Sequence, residues 1–209
     1  TDPKKQFLIS ITGPEAAQLV IDEQNLVYQA FIKFYEHIEQ TPPPVQINIE
    51  LGVPLARGLG SSATAIVGGL TGANVVAGSP LSLSEITHLA ITIEGHPDNV
   101  VPALLGGCQL SVPTDSGTWE ICQIPWHKTI IPVLAIPDFE LSTAATRQTL
   151  PTSYSRSDLI FNIAHLGLLL RGLESGREDR LRSAMQDKIH QPYRKKLIRG
   201  FDAVRKAAL

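Results

Sequence analysis

Two glycines and two serines in close succession carry the most chemistry in this chain. They lie in the run Pro54, Leu55, Ala56, Arg57, Gly58, Leu59, Gly60, Ser61, Ser62 and Ala63. Glycine reaches positive φ without a Cβ penalty and lets a ligand approach the backbone closely. Ser61 and Ser62 add two hydroxyls and the side-chain chemistry that starts helices. A helix beginning here would aim unpaired N–H groups and the positive end of its dipole at an anion. The run therefore reads as a phosphate-holding loop. It is not a Walker A loop, because Ser61 rather than lysine follows Gly60, and the GxGxxG dinucleotide fingerprint is absent. A bare GxGSS would also serve as an ordinary helix start, so on these residues alone both readings stand.

A second group of reactive side chains follows in Glu94, Gly95, His96, Pro97, Asp98 and Asn99. Glu94 closes an apolar run, and a carboxylate paired with a hydroxyl such as Ser62 is the kind of donor set that holds Mg²⁺, which keeps most of its waters. Asp98 and Asn99 can accept from and donate to a hydroxyl or an ammonium. They also stand where a helix cap is expected, ahead of the apolar residues 100–105. Thr143 and Arg147 are four apart and would share a helix face. A hydroxyl beside a guanidinium grips a carboxylate, although an isolated surface arginine is the plainer reading of the spacing. His37, His88, His127, His165 and His190 show no metal-ligand spacing. Cys108 and Cys122 are too isolated for a zinc knuckle and read as reduced, buried thiols.

The elements that must position these groups follow from hydrophobic period. Alternation predicts strands over 6–12, 45–51, 108–112, 119–124 and 130–136. Helical spacing predicts helices over 25–40, with Leu26, Ala30, Phe34 and Ile38 on one stripe, over 61–77, and over 83–93, where Ser82 and Glu85 form a capping-box signal. Further helices are expected over 142–150, 157–173, 177–185 and 193–209. The loop at 54–60 thus joins a strand to a helix.

The string from Pro54 to Ala63 resembles the phosphate-binding signature of the GHMP kinases. Within that family, residues 94–107, the segment Ser142, Thr143 and Arg147 to Pro151, and His190, Pro192, Tyr193 and Arg194 with Gly200, Phe201 and Asp202 resemble the homoserine kinases in order and spacing. The resemblance covers nearly the whole chain. It implies an α+β, two-lobe GHMP kinase fold: a lobe like domain 2 of ribosomal protein S5, packed on a ferredoxin-like lobe. It further implies ATP and Mg²⁺ as cofactors and phosphorylation of the side-chain hydroxyl of L-homoserine, a step of threonine biosynthesis. In site terms it implies that residues 54–63 bind the nucleotide and that Ser62 and Glu94 hold the metal. His96, Asp98, Asn99, Thr143 and Arg147 would contact the acceptor, Asp98 and Asn99 acting in catalysis largely by positioning. Arg57 sits where that family varies and is expected to be solvated. Members of the family commonly form a homodimer. Two strings typical of homoserine kinases, an N-terminal substrate-contacting motif and a glycine-rich motif near the C-terminus, do not occur, so a piece incomplete at both ends, weakly active or inactive alone, is expected. The competing expectations are another GHMP kinase, for example of mevalonate type, or a nucleotide-binding module without catalysis.

Composition agrees with an α/β or α+β enzyme and excludes little else. A chain of 209 residues can bury a core in one or two domains, and a formal charge of −2 gives no electrostatic reason to expect nucleic acid. No apolar run reaches membrane-spanning length, and the first residues lack the apolar segment of a signal peptide, so a cytoplasmic protein is expected. A division into a nucleotide lobe over 1–127 and a second lobe over 128–209 is expected, joined near His127 and Lys128.

Overall fold

The computed structural model describes residues 7–139 and 148–208. Thr143, Arg147 and most of the helix expected over 142–150 lie outside the described residues. The chain divides into two compact units, one formed by 1–55 and 59–122, the other by 56–58 and 123–209.

In the first unit, β1 (Phe7–Thr12) runs parallel to β2 (Val45–Glu50), in register from Phe7 opposite Val45 to Thr12 opposite Glu50. Parallel neighbours need a crossover, and α1 (Leu26–His37) supplies it. Alternation sets the two faces: Ile9 is buried with Ile47 and Ile49 on its side, while Ser10 and Asn48 meet on the other and share a hydrogen bond of 2.5 Å. Asn25 starts α1, its Oδ1 accepting from the amides of Val27 and Tyr28 and its Nδ2 donating to Val20 O at 2.7 Å. The expected stripe is present but wider, with Ala30, Phe31, Phe34 and Tyr35 buried and Leu26 and Ile38 at its margin.

α2 (Ser61–Val76), α3 (Leu83–Glu94) and α4 (Pro97–Leu105) complete the helical layer. The Ser82–Glu85 capping box predicted from sequence opens α3. Phe34, Ile66, Leu70, Val100 and Val101 are fully buried and form the centre of the core. A hairpin of β3 (Cys108–Pro113) and β4 (Trp119–Ile124) packs Trp119 and Ile121 against it. Neither cysteine is buried, contrary to expectation: Cys108 is half-buried and Cys122 exposed, both as free thiols.

The described helices of the second unit are α5 (Arg156–Ser175), α6 (Glu178–Ala184), α7 (Gln191–Arg194) and α8 (Phe201–Ala208). Ser155 caps α5 by accepting from Asp158 N at 3.1 Å. The single helix expected over 193–209 is broken. A 3₁₀ turn at Lys195–Leu197 and a left-handed Gly200, φ +83°, separate α7 from α8. The described backbone over 130–136 is not a strand, contrary to expectation. Ile131, at 80% exposure, and Val133, at 91%, have the right alternation, but no strand among the described residues bonds to them, and β-propensity is expressed only against a partner.

Asp187 organises the turn before α7. Its carboxylate accepts from Asn162 Nδ2 at 2.7 Å and from the amides of Ile189, His190 and Gln191 at 2.7, 2.9 and 2.6 Å. Burial pushes its pKa up, but those hydrogen bonds together outweigh it and hold the carboxyl below its ordinary value.

Two predictions follow from this packing. α1 and α2 touch at Gly69, where an added Cβ would lie 2.3 Å from Val27 O and 2.7 Å from Ala30 Cβ, whereas one at Gly68 would meet nothing within 4 Å. Gly69→Ala should lower the melting temperature, because overpacking against rigid atoms costs about 1–3 kcal/mol and exceeds the ~1 kcal/mol gained in helix propensity. Gly68→Ala should raise it, and thermal melts of both variants decide the matter. For Asp187, a depressed folded pKa means stability that is present above the unfolded carboxylate value of about 3.9 and is lost as pH falls through the lower folded value. Asp187→Asn should therefore melt lower than the parent at pH 7, with the gap closing in melts taken towards pH 2.

Candidate functional site

The loop leaves β2 and is fixed before it reaches the glycines: Glu15 Oε2 accepts from Leu55 N at 2.7 Å. Three positive φ angles then turn the backbone, at Ala56 (+53°), Gly58 (+73°) and Gly60 (+75°). Alanine in that region is uncommon, so the turn is held by its surroundings and not by local preference. Gly60 is the residue before α2, and no side chain caps the helix. Ser61 and Ser62, expected as caps, are instead the first two helical residues. Glycine with φ +75° occupies the cap position, which leaves the first-turn amides open to an anion and frees both hydroxyls. Arg57, expected to be solvated, donates from Nε to Pro137 O at 3.2 Å.

Ser62 uses its hydroxyl to reach across the unit: Oγ donates to Glu94 Oε2 at 2.9 Å, joining two motifs 32 residues apart. Glu94 is the last residue of α3, and Gly95 follows in the left-handed conformation, φ +83°. The turn delivers His96 beside Glu94, with Nε2 3.8 Å from Oε1. The His96 Nδ1 also hydrogen-bonds Asp98 Oδ1, and Asn99 Nδ2 donates to the same oxygen at 3.3 Å. Asp98 and Asn99 were expected to precede α4 as its cap. The helix instead begins at Pro97 and already contains both of them, with His96 in the cap position and making no side-chain cap bond. Proline suits the first helical position, and Asp98 in the first turn still faces the positive end of the dipole. Asn99 closes the circuit, since a Cβ on Gly60 would lie 3.3 Å from its Oδ1.

Gly60, Ser62, Glu94, His96, Asp98 and Asn99 thus form one continuous cluster. It is graded in exposure: the side chain of Glu94 is 14% exposed and that of His96 21%, whereas Asp98 is 65% exposed. Paired hard oxygens from Ser62 and Glu94 fit Mg²⁺, an ion that takes one or two protein oxygens and completes its shell with water and phosphate. Among the described residues no group of three or more His, Cys, Asp or Glu could hold a metal. Beside the loop, a cavity of about 560 Å³ is lined by apolar side chains of Leu26, Ile47, Ile49 and Val53 and by the hydroxyls of Ser61 and Ser62. It has the size and the mix of apolar wall and few polar groups typical of small-ligand pockets. Sequence reasoning missed both this cavity and Glu15. The inward parity of Ile47 and Ile49 was a signal for the first; nothing in the sequence singled out the second.

Residues 25–107 match the GHMP kinases N terminal domain. The chain is 66% identical over 208 residues to a homoserine kinase of Trichodesmium erythraeum, covering 100% of this chain and 68% of that one. It is 64% identical over 204 residues to the homoserine kinase of Trichormus variabilis, covering 98% and 67%. It therefore spans about two thirds of the length of these relatives. Among solved structures, it is similar to the homoserine kinase of Cytophaga hutchinsonii, with a TM-score of 0.80, 28% identity, and coverage of 99% of this chain and 67% of that one. A phosphomevalonate kinase of Streptococcus pneumoniae shares the fold, with a TM-score of 0.57 at 12% identity over 87% and 65% of the two chains.

The loop geometry generates its own test. Gly60→Ala places a Cβ at φ +75° and against Asn99, so stability should fall by about 1–2 kcal/mol. Gly58→Ala has the φ penalty without the contact and should cost less. Urea melts of the two variants check the order.

Proposed function

The chain belongs to the homoserine kinases of the GHMP kinase family, and from that premise we propose how its residues divide the work of phosphorylating L-homoserine. That family transfers the γ-phosphoryl group of ATP to the side-chain hydroxyl of L-homoserine, giving O-phospho-L-homoserine. The mevalonate-type alternative has less support, since the likeness to phosphomevalonate kinase extends to the fold alone.

The observation that carries the assignment is the 2.9 Å bond between Ser62 and Glu94. It puts the phosphate loop and the acidic end of α3 in one place. In this reading residues 54–63 hold the phosphates with the uncapped amides of α2, and the cavity beside the loop receives the base and sugar. Ser62 and Glu94 would hold Mg²⁺, which when bound neutralises charge on the transferring phosphoryl group. Asn99, adjacent to Gly60, and Asp98, at the exposed end of the cluster, orient the acceptor hydroxyl for in-line attack. The cluster offers positioning and electrostatics in place of a dedicated general base. Thr143 and Arg147 complete the acceptor site in this proposal by binding the substrate carboxylate. We take 1–127 as the nucleotide lobe and 128–209 as the second lobe. We place the enzyme in the cytoplasm, in threonine biosynthesis, acting as a homodimer; no described helix is long and apolar enough to cross a membrane.

The test incubates this chain, and one extended to the length of its relatives, with Mg-ATP and L-homoserine and looks for phosphohomoserine by mass spectrometry. Product from the extended chain is expected. Its absence, with nucleotide still bound, would leave a nucleotide-binding module. In the extended chain, Ser62→Ala and Glu94→Gln should each lower kcat by about 10²-fold, the scale of losing one group that stabilises transition-state charge. Parental rates in both variants would remove the pair from the metal site.

A further inference from the structure

We propose that His96 is a positioning residue that fixes the carboxylate of Asp98 through its Nδ1–H and thereby leaves Asp98 Oδ2 as the oxygen offered to the acceptor. The proposal rests on the reading that Asp98 meets L-homoserine.

The direction of the bond follows from chemistry. An ionised carboxylate only accepts, so in the contact with Asp98 Oδ1 the imidazole Nδ1 is the donor. Asn99 Nδ2 donates to the same Oδ1 at 3.3 Å. Oδ2 takes no hydrogen bond from any described residue. Two donors on one oxygen set the plane of the carboxylate, and the other oxygen faces away from them, free for the ammonium or hydroxyl of an amino alcohol.

The imidazole can do this because its own place is fixed. Gly95 before it is left-handed, φ +83°. Pro97 after it restricts His96 to extended backbone, and it has φ −158° and ψ 151°. The ring is mostly buried and keeps its second nitrogen towards Glu94, 3.8 Å away. Asp98 is the reverse case: 65% exposed, it would otherwise sample several rotamers in water. The orientation of an exposed side chain is thus taken from a buried one. His96, expected from sequence as a contact to the substrate, acts in this proposal through Asp98.

Isosteric replacement tests it. Asparagine places an amide nitrogen where histidine has Nδ1, and glutamine places one where it has Nε2. In the extended chain, His96→Ala and His96→Gln should raise the KM for L-homoserine about tenfold, the worth of one charge-assisted hydrogen bond. His96→Asn should stay within about threefold of the parent, and kcat and the KM for Mg-ATP should change little in all three. Equal behaviour of the Asn and Gln variants, or a change confined to the KM for Mg-ATP, would overturn the proposal. A second measurement is independent of turnover: ¹⁵N NMR of the 209-residue chain should show His96 protonated at Nδ1. An unprotonated Nδ1 would overturn it regardless of activity. An extended parent that makes no phosphohomoserine while Nδ1 is protonated would instead overturn the kinase reading on which the role depends.

Discussion

The hydrogen bond from Ser62 to Glu94 is the constraint around which the first unit is arranged. It joins the beginning of α2 to the end of α3, so the two helices must meet end to end at a fixed offset. The positive end of α2 favours a carboxylate there, but the end of α3 does not: Glu94 sits where its own helix presents negative partial charge. Helix stability alone would put a basic residue at that position. Glu94 is nonetheless mostly buried there, accepting a hydrogen bond from Ser62 and lying 3.8 Å from His96 Nε2.

Holding that offset is the task of the small residues behind it. Ala63, Ala73, Ala90 and Ile66 are buried in one cluster with Val100 and Val101, and the contact of α1 with α2 at Gly69 is close enough to exclude a methyl group. Interiors at crystal-like density transmit displacement instead of absorbing it. A shift of α2 along its axis would move Ser62 away from Glu94 and Gly60 away from Asn99 together. The backbone positions of the cluster are thus set by the core beneath it, while its exposed end at Asp98 is held by side-chain bonds to His96 and Asn99.

Much of this was legible in the residues. The loop from Pro54 to Ala63 and the run from Glu94 to Asn99 were readable as motifs, and the strands and helices around them follow from period, because burial on one face imposes it. The cap positions were misread by one or two residues at α2 and by two or three at α4. Serine, aspartate and asparagine are the usual caps, and here a left-handed glycine and a histidine take those places, while Ser62 bonds to Glu94 and Asp98 to His96. Local propensity fails where another bond claims the side chain.

The bonds that make the site could not have been read in the same way. Period and motif report which residues share a face or a turn, and His96 with Asp98 lies within that range. Ser62 with Glu94 and Glu15 with Leu55 do not, being 32 and 40 residues apart. Their meeting depends on how four helices and two strands pack. The same limit explains residues 130–136, whose alternation promises a strand but whose backbone pairs with no strand among the described residues. A strand is a property of a pair, as the Ser62–Glu94 bond is of two helix ends, and a sequence read along its length supplies only one member at a time.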